Sequence, residues 1–145
     1  MDIKLAVNGT LMRGLPLNEN LLQIGGRFVR EAQTAACYRL WSIDGLYPGM
    51  VRVCQGGSAI ALEIWEIPAH GLGQLLLQEP PGLSVGRILL AEGEEVLGIL
   101  AEPYLCEGQL DITAWGGGGE PTSLPEIDRN NRISPAFPSR SFDIS

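Results

Sequence analysis

The apolar residues of this chain fall in short alternating runs, and glycine or proline stops nearly every run before a helical period can develop. The first run sets Ile3, Leu5 and Val7 against Asp2, Lys4 and Ala6. A two-residue repeat sends successive side chains to opposite faces, so the run reads as a strand. Further strands are predicted over "RFVREAQTA" (27–35), "YRLWSI" (38–43), "MVRV" (50–53), Ala59 to Ile67, "GRILLA" (86–91) and "EEVLGILAEPY" (94–104). The second and third read as a hairpin turning near Ala35-Ala36-Cys37. Gly56-Gly57 and Glu92-Gly93-Glu94 supply two more turns. One segment alone reads clearly as a helix, "AHGLGQLLLQEP" (69–80), with Leu72, Leu75 and Leu76 at helical spacing and Pro80-Pro81 to end it. The fold class expected is mostly β (α+β), a small antiparallel β-barrel with one or two short helices.

At 145 residues the chain has room for one core. A net charge of −7 with scattered Lys and Arg offers no basic face, so a nucleic-acid partner is not expected. No run of about 18 apolar residues supports a membrane span. "MDIK" lacks the charged and apolar regions of a secretory leader, and a cytoplasmic location is expected. Cys37, Cys54 and Cys106 are odd in number and lack a C-x-x-C spacing, which predicts reduced, mostly buried thiols rather than a disulfide frame or zinc knuckle. The single histidine, His70, reads as a capping or surface residue. No metal site or cofactor is expected. From Gly116 onward four consecutive glycines lead into a proline-rich stretch with few large apolar residues. The expected division is a domain over 1–117 and a tail over 118–145, which Ile133, Phe137 and Phe142 would anchor.

Several short stretches recur in a familiar order: Gly9, Gly14-Leu15-Pro16-Leu17-Asn18, Tyr38-Arg39-Leu40, Pro48-Gly49, Glu63-Ile64-Trp65, Pro81 through Gly86, and Asp111-Ile112-Thr113 followed by Gly116-Gly117. In that order the chain resembles the γ-glutamylcyclotransferase-like fold, and within it the allophanate hydrolase C-terminal domain. The likeness runs from about residue 3 to 117, and the ordered set carries it rather than any single motif.

The resemblance implies that the turn after the first strand, Asn8, Gly9, Thr10 and Leu11, cradles a small carboxylate. A glycine admits close backbone approach, and successive N–H groups can hold an anion. A plain strand-ending turn is the alternative. Asn8 stands where cyclotransferase-like members carry Tyr. In the hydrolase domain a histidine lies close to the position of Thr10, which itself is no base near neutral pH. Glu79, in "LLLQEPPG", matches the place of the cyclotransferases' general acid/base, although Pro80 replaces their glycine. A carboxyl taken from water keeps its proton to higher pH and can shuttle it.

Glu63 and Glu66 lie three apart on a strand and face opposite sides, so they are no carboxylate pair. A buried Glu63 would be a pocket residue, and Arg27 could hold a carboxylate with its planar fork. Two classes stay open at this stage. One is an enzyme on a small carboxylated amide or carbamate, by γ-glutamyl cyclotransfer or by carbamate breakdown. The other is a non-catalytic ligand-binding or oligomerisation module. A homodimer or a separate amidase subunit is the partner such a family domain would take.

Overall fold

A computed structural model describes residues 1–116. Eight strands form two open sheets. The larger uses β1 (Asp2–Val7), β2 (Arg27–Gln33), β5 (Ala61–Pro68), β6 (Leu83–Leu89) and β7 (Glu95–Ala101), in the order β2-β5-β1-β7-β6. The smaller uses β3 (Tyr38–Ile43), β4 (Tyr47–Arg52) and β8 (Leu110–Asp111), in the order β4-β3-β8. Every ladder is antiparallel except β1 against β7.

Both faces of the large sheet are covered, which explains why β1 and β5 are apolar on both sides. Ala6, Leu62 and Ile64 face the small sheet and pack with Tyr38, Leu40 and Met50. Leu5, Val7, Trp65 and Ile67 face the other way, under Leu21 of α1 (Asn18–Gln23) and Leu75 of α2 (Leu72–Leu77).

The expected barrel is not what forms. The edges β2 and β6 meet at one corner only, through an isolated bridge between Thr34 and Leu90 and the bonds Ala35 N–H to Leu89 O and Ala91 N–H to Gln33 O. Elsewhere the helices bury the apolar face, so the sheet has no need to close on itself. The predicted β2–β3 hairpin is likewise replaced. β2 pairs with β5, whereas β3 pairs with β4 and β8, so the chain changes sheets over Thr34 to Cys37. That corner is fixed by Thr34, whose buried hydroxyl accepts the Ile60 N–H at 2.9 Å.

Four helices are present among the described residues instead of one or two. Besides α1 and α2 there are α3 (Pro103–Cys106) and α4 (Thr113–Gly116), each a single turn. Pro103 starts α3 where its missing N–H costs nothing, and Asp111 caps α4 by accepting the Thr113 N–H at 2.9 Å. A turn this short shows too little period to be read from sequence.

Among the thiols only Cys106 is buried, and burial pushes it up to about 11; Cys37 is half-buried and Cys54 exposed. The expected tail over 118–145 and its anchors lie outside the described residues. No helix among those described is long and apolar enough to cross a membrane.

Candidate active site

The first strand ends at Val7, and the chain turns immediately through Asn8 into a 3-10 turn over Gly9–Leu11. The turn is held from within. The carbonyls of Gly9, Thr10 and Leu11 accept the Met12 N–H (3.1 Å), the Leu17 N–H (2.9 Å) and the Asn18 Nδ2 (2.8 Å). Gly9 has φ +81°, and a Cβ there would stand 2.5 Å from Pro48 Cγ. The glycine is therefore required twice, by its backbone angle and by the proline seated on it. Gly9→Ala is expected to cost about 2–4 kcal/mol from left-handed strain plus overpacking. Urea unfolding should show this as a lower midpoint at unchanged slope.

Next to this turn opens a cleft of about 90 Å³, lined by Asn8, Thr10 and Leu11, by Tyr47 and Pro48 of β4, and by Glu79. Leucine, isoleucine and proline complete the wall, and no Lys, Arg or His among the described residues borders it. Separate parts of the chain meet here, among them the turn after β1, the β3–β4 hairpin, the loop after α2 and Ile99 of β7.

Glu79 is set at the end of α2, where its N–H bonds to Leu76 O at 3.1 Å. The following Pro80-Pro81-Gly82 loop is tied to β7 and α3. Glu102 N–H bonds to Gly82 O at 2.8 Å, and a Cβ on Gly82 would stand 2.9 Å from the Tyr104 hydroxyl. Held this way, Glu79 buries Oε1 with no hydrogen-bond partner among the described residues. Burial alone pushes its carboxyl from 4.5 up to about 7. Near neutral pH it can therefore either give or take a proton.

The other expected site residues divide between this cleft and the rest of the fold. Asn8, Thr10 and Leu11 border the cleft with Glu79, while Gly9 supports the turn from beneath Pro48. Asn8 directs its amide to Met50 Sδ at 3.3 Å. Arg27 pairs with Glu66 on the exposed β2 edge and does not border the cleft.

Glu63 is buried but does not border the cleft, and both its carboxylate oxygens are engaged within the fold. It accepts Arg13 N–H and Trp65 Nε1–H on Oε1 and Arg13 Nε–H on Oε2, each at 3.0 Å. Its task is to fasten the loop after the 3-10 turn to β5. His70 is exposed in a 3-10 turn before α2. Tyr47, which sequence reading did not single out, reaches the cleft from the second sheet. Its one local signal is the Asp44-Gly45 turn that aims it.

The model of the allophanate hydrolase C-terminal domain family matches residues 3–120. The chain belongs to that family. Its likeness to the urea amidolyase of Saccharomyces cerevisiae is 33% identity over 123 residues, covering 80% of this chain and 7% of the relative. The domain is thus similar to a small part of a much longer protein. The crystal structure of a uropathogenic E. coli-specific protein is 55% identical, with a TM-score of 0.79, covering 81% of this chain and 92% of that one. A Kluyveromyces lactis allophanate hydrolase is 31% identical with a TM-score of 0.76, covering 81% of this domain and 20% of that chain.

Proposed function

We propose that this allophanate hydrolase C-terminal-like domain binds a small carboxylated amide or carbamate in the cleft beside Asn8, Thr10 and Leu11, and that Glu79 supplies a proton to it. The observation behind this reading is that Glu79, which borders the cleft, has a buried carboxyl oxygen with no partner among the described residues.

Of the two reactions, carbamate breakdown suits the cleft better. Its volume is well below the roughly 300 Å³ or more of a drug-sized site, which favours a molecule of a few heavy atoms over a γ-glutamyl dipeptide. In an N-carboxylated amide the bond between nitrogen and the carboxylate carbon breaks. Its electron pair stays on nitrogen, Glu79 gives that nitrogen its proton, and neutral CO2 departs. The Glu79 carboxylate then regains a proton from solvent. An apolar, cation-free wall suits this step, because the charged reactant loses hydration while the CO2 product needs none. With no histidine at Thr10, Glu79 is the group in the cleft that titrates near neutrality.

The test is an assay of CO2 release above the spontaneous rate, from allophanate with urea as the co-product and from ammonium carbamate with ammonia as the co-product. A parallel incubation with γ-glutamyl dipeptides looks for 5-oxoproline. Faster CO2 release at pH 6 than at pH 8 is expected, since a general acid is lost as pH rises through about 7. Formation of 5-oxoproline with no CO2 release would select cyclotransfer instead. Neither product would leave a binding module.

A further inference from the structure

Tyr47 brings a second polar wall to the cleft, from the small sheet. It opens β4 directly after a tight turn in which Asp44 (φ 54°) and Gly45 (φ 71°) are both left-handed and Leu46 N–H bonds to Ile43 O at 2.8 Å. Gln109 clamps that turn from both sides, accepting Asp44 N–H at 2.8 Å and donating to Asp44 Oδ1 at 3.1 Å. On the other side Pro48 is lodged against Gly9. The phenol is therefore positioned by anchors on each flank.

The two tyrosines that start β3 and β4 differ in one respect. Tyr38 is fully buried, and its hydroxyl accepts the Leu89 N–H at 3.0 Å. Tyr47 borders the cleft, and its hydroxyl makes no hydrogen bond among the described residues.

A carboxylate entering this cleft meets no cation among the described residues. Neutral donors must hold it, and the side chains on offer are Asn8, Thr10 and Tyr47. Asn8 already leans on Met50. The Tyr47 phenol is the most acidic O–H among them apart from Glu79 itself, and burial, then Asp44, Tyr104, Glu79 and Cys106, raise it above its usual range. At neutral pH it remains a donor whatever the state of Glu79. Hydrogen bonds from a neutral donor to an ionised acceptor are the stronger kind.

We propose that Tyr47 selects for a carboxylate in this cleft, donating its phenol O–H to an oxygen of the ligand's carboxylate and so holding the ligand between the β3–β4 hairpin and Glu79. The proposal rests on the functional reading of the cleft and adds to it a specificity-determining residue.

Acetate and acetamide are matched probes, alike in size and unlike in charge. Titrations would follow the amide signals of Asn8, Thr10 and Leu11 in the full chain and in Tyr47→Phe, which keeps the ring and its packing. Expected is an acetate affinity lowered about tenfold in Tyr47→Phe, with acetamide changed less than twofold. Equal acetate affinity in the two proteins overturns the Tyr47 assignment and leaves the Glu79 cleft standing. Equal loss for both probes also overturns it, because the residue would then act through packing. Failure of wild type to bind either probe overturns both the assignment and the functional reading beneath it.

Discussion

If Glu79 acts as proposed, Glu79→Gln is expected to lower CO2 release from an N-carboxylated amide by about 10²–10⁴-fold, the usual contribution of a positioned general acid. The substitution keeps the shape and removes the proton, so binding of the carboxylate should survive or tighten slightly as a like charge disappears. Stability moves the opposite way from activity. The carboxyl of Glu79 sits at about 7 in the fold and near 4.5 when exposed. Between those values the folded protein holds the proton that the unfolded chain has lost. Stability of the wild type therefore falls as pH rises from about 4.5 to about 7 and levels off above it. Glu79→Gln removes this slope. At pH 8 the variant should be the more stable protein, by on the order of 1 kcal/mol given a partly solvated group, and at pH 4 the two should coincide. Urea midpoints at both pH values measure the difference. A variant that loses activity while gaining stability at high pH carries the signature of a residue placed for chemistry at a cost to the fold.

The second large effect belongs to Arg13→Ala. Glu63 is 1% exposed, opposite Val7 in the β1–β5 ladder and bonded to Trp65 on the helix-covered side of the sheet. Its compensation comes from Arg13 N–H and Nε–H and from Trp65 Nε1–H. Arg13 also lies over the Phe28 ring at 3.6 Å and reaches Glu31 at 3.1 Å. Truncating it leaves a buried carboxylate with two neutral donors, a change that costs about 3–5 kcal/mol. Arg13 is itself half-exposed and solvent can partly replace it, which points to the lower end, about 3 kcal/mol. Against a total of about 5–15 kcal/mol this is a large share. Placed in a Glu63→Leu background, Arg13→Ala should cost under about 1 kcal/mol, since no buried charge remains to be orphaned. The coupling between the two sites separates this pair from simple packing loss. Because the loop Met12 to Leu17 follows the 3-10 turn, Arg13→Ala should also weaken acetate binding in the cleft.

The strands were legible from local sequence because a two-residue period survives even in runs of six residues, as "IKLAVN" shows. Their assembly was not. β2 and β3 are neighbours in sequence with only a few residues between them, which favours a hairpin on local grounds. Instead β2 takes the distant β5 as its partner through burial, while β3 turns tightly at Asp44-Gly45 into β4, with Tyr38 in the core shared by both sheets. The short helices α3 and α4 left only a proline and an aspartate as signs. In the site, the leucines of α2 and the prolines after it put Glu79 at a helix end and the family resemblance singled it out, while its place beside Tyr47 and Pro48 of the other sheet shows only in the fold. Arg13 and Glu63 stand fifty residues apart, and nothing in either segment marks the other as its partner. Tyr47 was invisible for the same reason. A tyrosine before Pro-Gly reads as a strand residue until the turn at Asp44-Gly45 is seen to deliver it to the cleft.

Direct measurement of Glu79 decides whether the cleft handles acids. The side-chain carboxyl carbon can be titrated by 13C NMR, with Glu79→Gln to identify its signal. A midpoint near 7 in the free protein is expected, rising further when acetate is added, because a second negative charge in the cleft favours the protonated form. A midpoint near 4.5 that acetate leaves unmoved would contradict it.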